Sequence, residues 1–266
     1  MHLDDKAQRL RSILQGYCRV AIAFSGGIDS SLLVKCALDT LGAGNVLLLF
    51  GRSLLLKSTE IERAENWPGN NGYPRGVELE ILDLQPLAWK EFVHNSEARC
   101  YLCKLRIYTL FRQRMEKVGF SLLLDGTNAD DLKGRRAGLR AIHELGVKMP
   151  LVEAGFSKAD TREYGRRLGL SNWEHSSSSC LATRIPSGMM ITSQRLRQIE
   201  DWENGLEKFG LKGCRVRLAR DGDDVVHVEI DRSDFELLLS SGMRLSILRF
   251  LQNSGVRKVL FDLEGR

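Results

Sequence analysis

An apolar run, Val20 to Phe24, passes directly into the loop Ser-Gly-Gly-Ile-Asp-Ser at residues 25–30. A short apolar run bounded by turn-forming residues predicts a buried β-strand. Gly26 and Gly27 let the backbone approach a ligand without Cβ obstruction, and a helix starting near Ser30 would direct its unpaired N–H groups and dipole at an anion. The junction therefore predicts a strand–loop–helix unit with a pyrophosphate-binding loop. The alternative is a plain strand-to-helix turn with Ser30 as the N-cap.

Five residues of this loop are the candidates for binding pyrophosphate: Ser25, Gly26, Gly27, Asp29 and Ser30. The loop lacks the Gly-Lys-Ser/Thr ending of a Walker A loop, which argues against a standard kinase or GTPase site. A carboxylate inside an anion-binding loop is useful if a metal accompanies the phosphates, so Asp29 predicts Mg²⁺ with the nucleotide. The other interpretation of Asp29, a first-turn acid that favours the helix dipole, is compatible with this one.

A second loop, Asp125-Gly126-Thr127-Asn128, follows another apolar run, residues 121–124. Apolar runs at 46–50 and 77–82 also alternate with helical patterns, which is the β-α-β rhythm of a parallel sheet. Ligands of such α/β sheets bind beyond the carboxyl ends of the strands, where both loops would lie. Asp125, Gly126 and Asn128 are therefore further nucleotide-binding candidates, although a tight turn alone would also explain this composition.

The rhythm changes in the last third of the chain. A long helical pattern near 193–209 is followed by strand-like runs at 215–218 and 225–230, a helical stretch near 234–250 and a short strand near 259–262. This order is typical of α+β structure. We therefore expect two domains, a parallel α/β domain over residues 1–186 and a small α+β domain over 187–266, for substrate binding or oligomerisation.

Composition indicates the cellular compartment of the protein more clearly than it indicates the reaction. The 266 residues carry a formal net charge of +5, which suits a phosphorylated small molecule as well as weak RNA contact. The first residues are acidic and lack the apolar run of a signal peptide, so we expect a cytoplasmic protein. In a reducing compartment, six cysteines are better explained as buried, metal-bound or catalytic than as disulfides.

Three of these cysteines are candidates for chemistry. Cys100 and Cys103 have a Cys-x-x-Cys spacing that suits a shared metal, a cluster or a redox pair, or two cysteines that are merely buried. Adding Cys180 gives three thiolates, a number that suits an iron–sulfur cluster with one open iron position. Cys180 is also the best single nucleophile, because Arg184 lies four residues on and a nearby cation favours the thiolate.

Arg215 and Arg217 alternate along a strand-like run, so their guanidinium groups should project from one face. Two such groups on one face make a good phosphate clamp. An exposed basic face is the other interpretation of this pattern.

Taken together, the motifs resemble those of the LarE family, ATP-dependent sulfur transferases that help to make the nickel-pincer cofactor of lactate racemase. The resemblance covers nearly the whole chain. It is carried by Phe24-Ser-Gly-Gly-Ile-Asp-Ser30, Cys100-Tyr-Leu-Cys103-Lys104, Leu124-Asp-Gly-Thr-Asn-Ala-Asp-Asp131, Glu153-Ala-Gly155, Leu168-Gly-Leu170, Trp173 and Cys180-Leu-Ala-Thr-Arg-Ile-Pro186. It implies a doubly wound, mainly parallel sheet of the adenine nucleotide alpha hydrolase-like (PP-loop) kind.

The resemblance also implies a reaction. ATP would adenylate a carboxylate of a pyridinium dicarboxylate mononucleotide, and sulfur would then displace AMP to give a thiocarboxylate. On the family pattern Arg184, Arg215 and Arg217 bind substrate phosphate or pyrophosphate, and Glu203 is an acid near the transferable sulfur. Members with a lone cysteine at position 180 give up its sulfur, whereas the presence of Cys100 and Cys103 here favours a [4Fe-4S] cluster on the three cysteines. The resemblance further implies a homo-oligomer, for instance a hexamer. No segment approaches the length of a membrane span and no RNA-binding module is recognisable, so we expect neither a membrane nor a nucleic-acid partner.

The chain departs from the family pattern in three places. Ser176 and Ser187 stand where a proline and an aromatic residue are usual, and the stretch 132–138 lacks a proline. These departures bear on which carboxylate is the substrate. Two other functions stay open at this point: a tRNA thiolase of the same superfamily, and an ammonia-using ATP pyrophosphatase synthetase subunit.

Overall fold

The apolar run before the glycine pair is strand β1 (Val20–Phe24), and all five of its residues are buried. It pairs in parallel with β2 (Val46–Arg52) on one side and β4 (Leu123–Asp125) on the other, and β3 (Glu78–Asp83) pairs in parallel with β2. The order β3-β2-β1-β4 confirms the predicted parallel α/β sheet. Successive strands run outward from β1 through β2 to β3, and the chain then returns to β1's other side, so the switch point of the doubly wound sheet lies between β1 and β4.

The computed structural model describes residues 2–73, 76–134, 137–175 and 179–266. Arg135, Arg136 and Ser176, which belong to the stretches that depart from the family pattern, lie outside these residues. The chain divides into two units: Met1–Ser53, Ser58–Leu84 and Cys100–Ser177 form the first, and Leu54–Lys57, Gln85–Arg99 and Ser178–Arg266 form the second. The predicted boundary after residue 186 stays a prediction.

The α-helices of the described residues are, in chain order, α1 (Leu3–Gln15), α2 (Ile28–Leu41), α3 (Ser58–Glu65), α4 (Trp67–Asn70), α5 (Lys90–Val93), α6 (Arg99–Lys117), α7 (Ala137–Glu144), α8 (Pro150–Glu153), α9 (Lys158–Arg167), α10 (Ser193–Lys208), α11 (Phe235–Leu239) and α12 (Ser241–Asn253). In the part of the chain that the structure describes, none of them is long and apolar enough to cross a membrane.

The core of the first unit forms between the sheet and α6. Tyr108, Phe111 and Met115 recur at intervals of three and four residues, so they share one face of α6, and they pack with alternate residues of β1 and β2. The carboxyl ends of β1 and β4 are thereby fixed against a helix that also carries Cys100 and Cys103. The candidate site described below lies at the ends of β1 and β4 that face the loops 25–30 and 125–128.

The second unit contains a three-stranded sheet. Strand β5 (Arg215–Ala219) is antiparallel to β6 (Gly222–Glu229), and β6 is parallel to β7 (Lys258–Phe261). Helices and a mixed sheet confirm the expected α+β character of this part. The single helix predicted near 234–250 is instead α11 and α12, because Ser240 has extended backbone (φ −64°, ψ 130°) and interrupts the helical hydrogen bonding.

Two helices begin earlier than their helical patterns, residues 31–41 and 104–118, predict. Helix α2 begins at Ile28 with Gly27 as its N-cap, so Ser30 lies inside its first turn and does not cap it. Helix α6 begins at Arg99, which places Cys100 and Cys103 on its first turns. In both cases the start of the helix depends on backbone geometry, which hydrophobic periodicity does not report. Helices α7 and α8 were not predicted.

Candidate functional site

The glycine pair makes a tight loop with an open helix N-terminus. Gly26 has φ +74°, a left-handed conformation that glycine adopts without strain, and a Cβ on it would lie 3.0 Å from the Cβ of Ala64. Gly27 caps α2 and has no side chain that could accept a hydrogen bond from the first-turn N–H groups. The Ser25 and Ser30 hydroxyls lie 3.1 Å apart, and Ser30 Oγ donates to the Gly27 carbonyl at 3.0 Å. The loop is thus preformed, with its helix dipole directed at the place an anion would occupy.

Gly126 brings the second loop against the first. A Cβ on Gly126 would lie 2.8 Å from the Ser30 backbone nitrogen and 2.9 Å from its Cα, closer than real Cβ atoms approach backbone. The chain after β4 therefore packs directly on the first turn of α2, across the switch point of the sheet. The structure thus brings together the two loops that the sequence predicted at one sheet edge.

Asp125 is a buried, ionised carboxylate at the end of β4. One oxygen accepts from the Thr127 backbone N–H at 2.7 Å and from the Thr127 hydroxyl, and the other accepts from the Tyr108 hydroxyl and from Lys104 Nζ at 3.3 Å. Burial by itself would raise the pKa of Asp125, but the Lys104 charge and the hydrogen bonds from Thr127 and Tyr108 together lower it below its ordinary value. Asp125 is therefore a negatively charged group whose hydrogen bonds to Thr127 fix the 125–128 loop.

A hydrogen bond between Asn128 and Asp29 also connects the two loops. The Asn128 side chain is fully buried; its Oδ1 accepts from the N–H groups of Asp130 and Asp131, and its Nδ2 donates to Asp29 Oδ1 at 3.1 Å. The second oxygen of Asp29 forms an ion pair with Lys158. Asp29, the predicted Mg²⁺ ligand, is thus held by an amide and an ammonium group.

Lys104 and Lys158 are site residues that the sequence analysis did not assign. Lys158 is the first residue of α9, where the helix dipole disfavours a cation. A lysine at such a position indicates a nearby carboxylate, and here that carboxylate is Asp29. Lys104 directly follows Cys103 in sequence and reaches Asp125 from α6. Each predicted loop thus has one amine on its carboxylate, Lys158 on Asp29 and Lys104 on Asp125.

Glu203 is the centre of a buried charge network in the second unit. Its side chain is 0% exposed and receives both arms of the Arg184 guanidinium at 2.8 and 3.2 Å, Lys57 Nζ at 3.0 Å and the Val216 N–H at 3.0 Å. Burial would raise the pKa of Glu203, but Arg184 and then Lys57 lower it overall, so the group is a carboxylate. Each carboxylate oxygen already accepts two donors, which suits a positioning role better than proton transfer.

Arg184 connects Glu203 by hydrogen bonds to the segment that carries Cys180. Its Nη1 donates to the Ser179 carbonyl at 2.7 Å, to the Ser179 hydroxyl at 2.6 Å and to the Thr183 hydroxyl at 3.1 Å. The Thr183 hydroxyl in turn donates to the Cys180 carbonyl at 2.7 Å. Cys180 is half-buried at the start of a short 3₁₀ turn, Leu181–Arg184. The backbone on both sides of this cysteine is therefore fixed by one guanidinium group.

Arg215 and Arg217 share one face of β5 but differ in their partners. Arg217 forms an ion pair with Glu229 and donates to the Thr183 carbonyl at 2.6 Å. The Arg215 side chain has no hydrogen bond or ion pair with another described residue. Burial, followed by repulsion from Arg266, Arg184 and Arg217, lowers the pKa of Arg215 to about 10. Positive charge exceeds negative charge here, and a bound anion would relieve the repulsion.

The structure places the three candidate cysteines in different units. Cys100 is exposed and Cys103 half-buried on α6, three residues apart and so on one helix face, whereas Cys180 belongs to the second unit. Within the described ranges, no three His, Cys, Asp or Glu side chains form a group that could hold a metal ion. The three-cysteine site therefore stays a prediction.

Comparison with known proteins finds relatives along almost the full length. The chain is 31% identical over 263 residues, covering 99% of it and 92% of the relative, to a pyridinium-3,5-bisthiocarboxylic acid mononucleotide synthase from Lactiplantibacillus plantarum. It is 30% identical over 265 residues to an uncharacterized protein from Synechocystis, covering 99% and 95% of the two chains. One component of a glutamine-hydrolyzing GMP synthase from Methanosphaerula palustris is 28% identical over 166 residues, 57% of this chain and 51% of that protein. No family model matches the chain.

Proposed function

Because the chain belongs to the LarE family of pyridinium-3,5-bisthiocarboxylic acid mononucleotide synthases, we propose that it is an ATP-dependent sulfur transferase of nickel-pincer cofactor biosynthesis. Its substrate would be a pyridinium dicarboxylate mononucleotide, and its product a thiocarboxylate. The observation that supports this most is the Gly26–Gly27 loop and helix α2, whose N-cap has no side chain, packed against Gly126 at the switch point of a parallel sheet. This is the geometry that a pyrophosphate-releasing enzyme needs.

The first step is adenylation. A carboxylate oxygen of the substrate attacks the α-phosphorus of ATP, the bond to the bridging oxygen breaks, and pyrophosphate leaves as the acyl-adenylate forms. The pyrophosphate would be bound by the N–H groups of residues 26–28 and by the hydroxyl groups of Ser25 and Ser30. Lys158 and Lys104, both in the first unit, would balance its charge.

A divalent cation fits this step. Mg²⁺ typically binds one or two carboxylates together with substrate phosphates, and Asp29 supplies one carboxylate beside the loop. We propose that Asp29 holds Mg²⁺ when ATP is bound, and that the ion then neutralises phosphate charge. Lys158, which pairs with Asp29 in this structure, would turn to the phosphates.

The second step is sulfur transfer. A sulfur nucleophile attacks the carbonyl carbon of the acyl-adenylate, and AMP leaves with the former carboxylate oxygen. If Cys180 supplies the sulfur, its thiolate forms a thioester; loss of the Cα proton then breaks the Cβ–Sγ bond, leaving dehydroalanine in the protein and a thiocarboxylate on the substrate. The fixed backbone around Cys180 would suit such a reaction.

The alternative sulfur source is a [4Fe-4S] cluster on Cys100, Cys103 and Cys180. We propose this cluster as the second sulfur source to be tested, since Cys100 and Cys103 lie on one face of α6. Anaerobic reconstitution of the whole protein should give iron-dependent absorbance that a Cys103→Ala variant loses. Unchanged iron content in that variant would leave Cys180 as the sulfur source.

Two arginines and one acid complete the proposed substrate site. We propose that Arg215 and Arg217 bind the substrate phosphate, since Arg215 lies among other cations and lacks a carboxylate partner among the described residues. Arg184 would contribute charge to the same phosphate while it holds the Cys180 segment. Glu203 would act by keeping Arg184 in place.

The proposal is tested by measuring pyrophosphate and product together, in the wild type and in Cys180→Ala. Pyrophosphate release should require the dicarboxylate mononucleotide, and it should persist in the variant while thiocarboxylate disappears. Pyrophosphate release that ignores the carboxylate, or a variant that still makes thiocarboxylate, would contradict it. Ammonia-dependent amide formation would point to a synthetase instead.

We also propose a cytoplasmic homo-oligomer, for instance a hexamer, that binds a small-molecule mononucleotide and neither nucleic acid nor membrane. The name of the relative, a mononucleotide synthase, supports the small-molecule partner. Light scattering of the purified protein measures the oligomer, and a salt-dependent tRNA gel shift would contradict the absence of a nucleic-acid partner.

A further inference from the structure

Asn172 is a buried side chain that the proposed reaction does not use. It lies in the turn after Leu170 and is 5% exposed. Its Nδ2 donates to the Gly26 carbonyl and to the Ser31 hydroxyl, each at 2.9 Å. A carbonyl oxygen can only accept, so the Gly26 bond fixes which end of the amide faces the loop. One amide thus contacts both the glycine pair and the first turn of α2.

The other end of this amide has no partner. Asn172 Oδ1 is buried without a hydrogen bond to any described residue. Leaving a buried acceptor unpaired costs free energy, and an apolar side chain of similar size would avoid that cost. The two N–H donors are therefore what distinguishes asparagine from an apolar residue at this position.

The bond to Gly26 sets the orientation of one peptide plane. In a trans peptide the C=O and the next N–H point in opposite directions, and the peptide after Gly26 is trans. Holding the Gly26 carbonyl toward Asn172 therefore directs the Gly27 N–H to the opposite side, toward Ser25 Oγ at 3.4 Å. Glycine backbone is the most flexible there is, so this orientation needs an external contact to persist.

We propose that Asn172 is a positioning residue for the pyrophosphate loop. By holding the Gly26 carbonyl and the Ser31 hydroxyl, it keeps the Gly27 N–H on the side of Ser25 Oγ, where the phosphates would bind, and keeps the N-terminus of α2 in place before they bind. The inference rests on the proposed function, because it concerns the loop that would receive pyrophosphate.

The test uses Asn172→Asp, which keeps the size of the side chain, removes both N–H donors and faces the Gly26 carbonyl with an oxygen. Asn71→Asp is the matched control: Asn71 also lies in the first unit, donates from Nδ2 to a backbone carbonyl, that of Trp67, at 2.9 Å, and has a buried Oδ1 without a partner among the described residues. Titration calorimetry on the whole protein measures the Kd of pyrophosphate and of ATP, and steady-state assays separate KM for ATP from kcat.

We expect Asn172→Asp to weaken pyrophosphate and ATP binding about tenfold and to raise the KM for ATP more than it lowers kcat. Asn71→Asp should bind within about twofold of wild type, even if both variants melt at lower temperature. Asn172→Ser replaces the amide with one hydroxyl donor, so its affinity for pyrophosphate and ATP should lie between those of Asn172→Asp and Asn71→Asp. This variant is used if Asn172→Asp does not fold. Binding by both Asn172 variants within about twofold of wild type would overturn the inference alone. A wild type that binds neither ligand would instead overturn the proposed function.

Discussion

Gly126 lies where the 25–30 and 125–128 loops meet, and the two loops can make contact because glycine has no side chain. The nearest atoms to a Cβ at this position belong to the backbone of Ser30 and Asp29, at 2.8 to 3.0 Å. Backbone atoms cannot rotate away as the end of a side chain can. A substitution here must therefore move either the second loop or the first turn of α2.

We expect Gly126→Ala to lower the free energy of unfolding by about 1–3 kcal/mol, the usual cost of overpacking, and to weaken ATP binding at least as strongly. Chemical denaturation and calorimetry measure the two effects. Gly44→Ala is the control, because a Cβ on Gly44 meets nothing within 4 Å. If Gly126→Ala binds ATP as the wild type does, the two loops do not act together.

Glu203 gives the second unit a pH-dependent contribution to stability. Its pKa is lower in the folded protein than in the unfolded chain, so the ionised carboxylate stabilises the fold at neutral pH. That contribution is lost as the pH falls from the ordinary value of 4.5 toward the lower folded pKa. Glu203→Gln leaves Arg184 and Lys57 buried without their shared counter-charge.

We expect Glu203→Gln to lower the free energy of unfolding by about 3–5 kcal/mol at neutral pH. The difference from wild type should shrink as the pH falls below 4.5. Denaturation at several pH values measures it, with the exposed Glu236→Gln as the control. A difference that stays constant down to low pH would show that Glu203 is not ionised in the folded protein.

At the scale of single elements, strand β5 presents two arginines whose partners differ. Arg217 forms an ion pair with Glu229, whereas Arg215 forms no ion pair with a described side chain, and repulsion from Arg266, Arg184 and Arg217 opposes the attraction of Glu229. A residue that costs stability in the free protein and gains a partner on binding is typical of a ligand site.

We therefore expect Arg215→Gln to raise the KM for the mononucleotide about tenfold while leaving the melting temperature unchanged or higher. Arg217→Gln should lower both substrate affinity and stability, because it also leaves Glu229 unpaired. The exposed Arg220→Gln should change neither. A fall in stability without a change in KM for Arg215→Gln would mean that Arg215 is structural.

The elements also show what the sequence could predict. Strand β1 was predicted with its observed bounds, because five apolar residues bounded by glycine-rich and polar segments leave little ambiguity. The meeting of the 25–30 and 125–128 loops followed from parallel topology alone. The starts of α2 and α6 were misplaced, because N-caps depend on backbone geometry that apolar periodicity does not report.

Lys104, Lys158 and Asn172 escaped the sequence analysis for another reason. Each contacts residues that are between 21 and 146 positions away, and single-sequence patterns extend over one turn of helix or one strand. Their partners, Asp125, Asp29 and Gly26, were predicted. Only the folded chain shows what holds those predicted residues in place.

On the scale of the whole molecule, the proposed reaction draws on both units. The ATP-side loops belong to the first unit, while Cys180 and Arg215 belong to the second. The central claim is that one carboxylate is first adenylated and then exchanged for sulfur. That sequence of steps fixes the fate of a single oxygen atom.

The most direct measurement follows that atom by mass spectrometry, with a substrate whose carboxylates carry heavy oxygen. Turnover with ATP should yield AMP that contains one heavy oxygen, together with a mononucleotide in which one sulfur replaces that oxygen. AMP without the label, or ADP in place of AMP and pyrophosphate, would contradict adenylation and with it the proposed function.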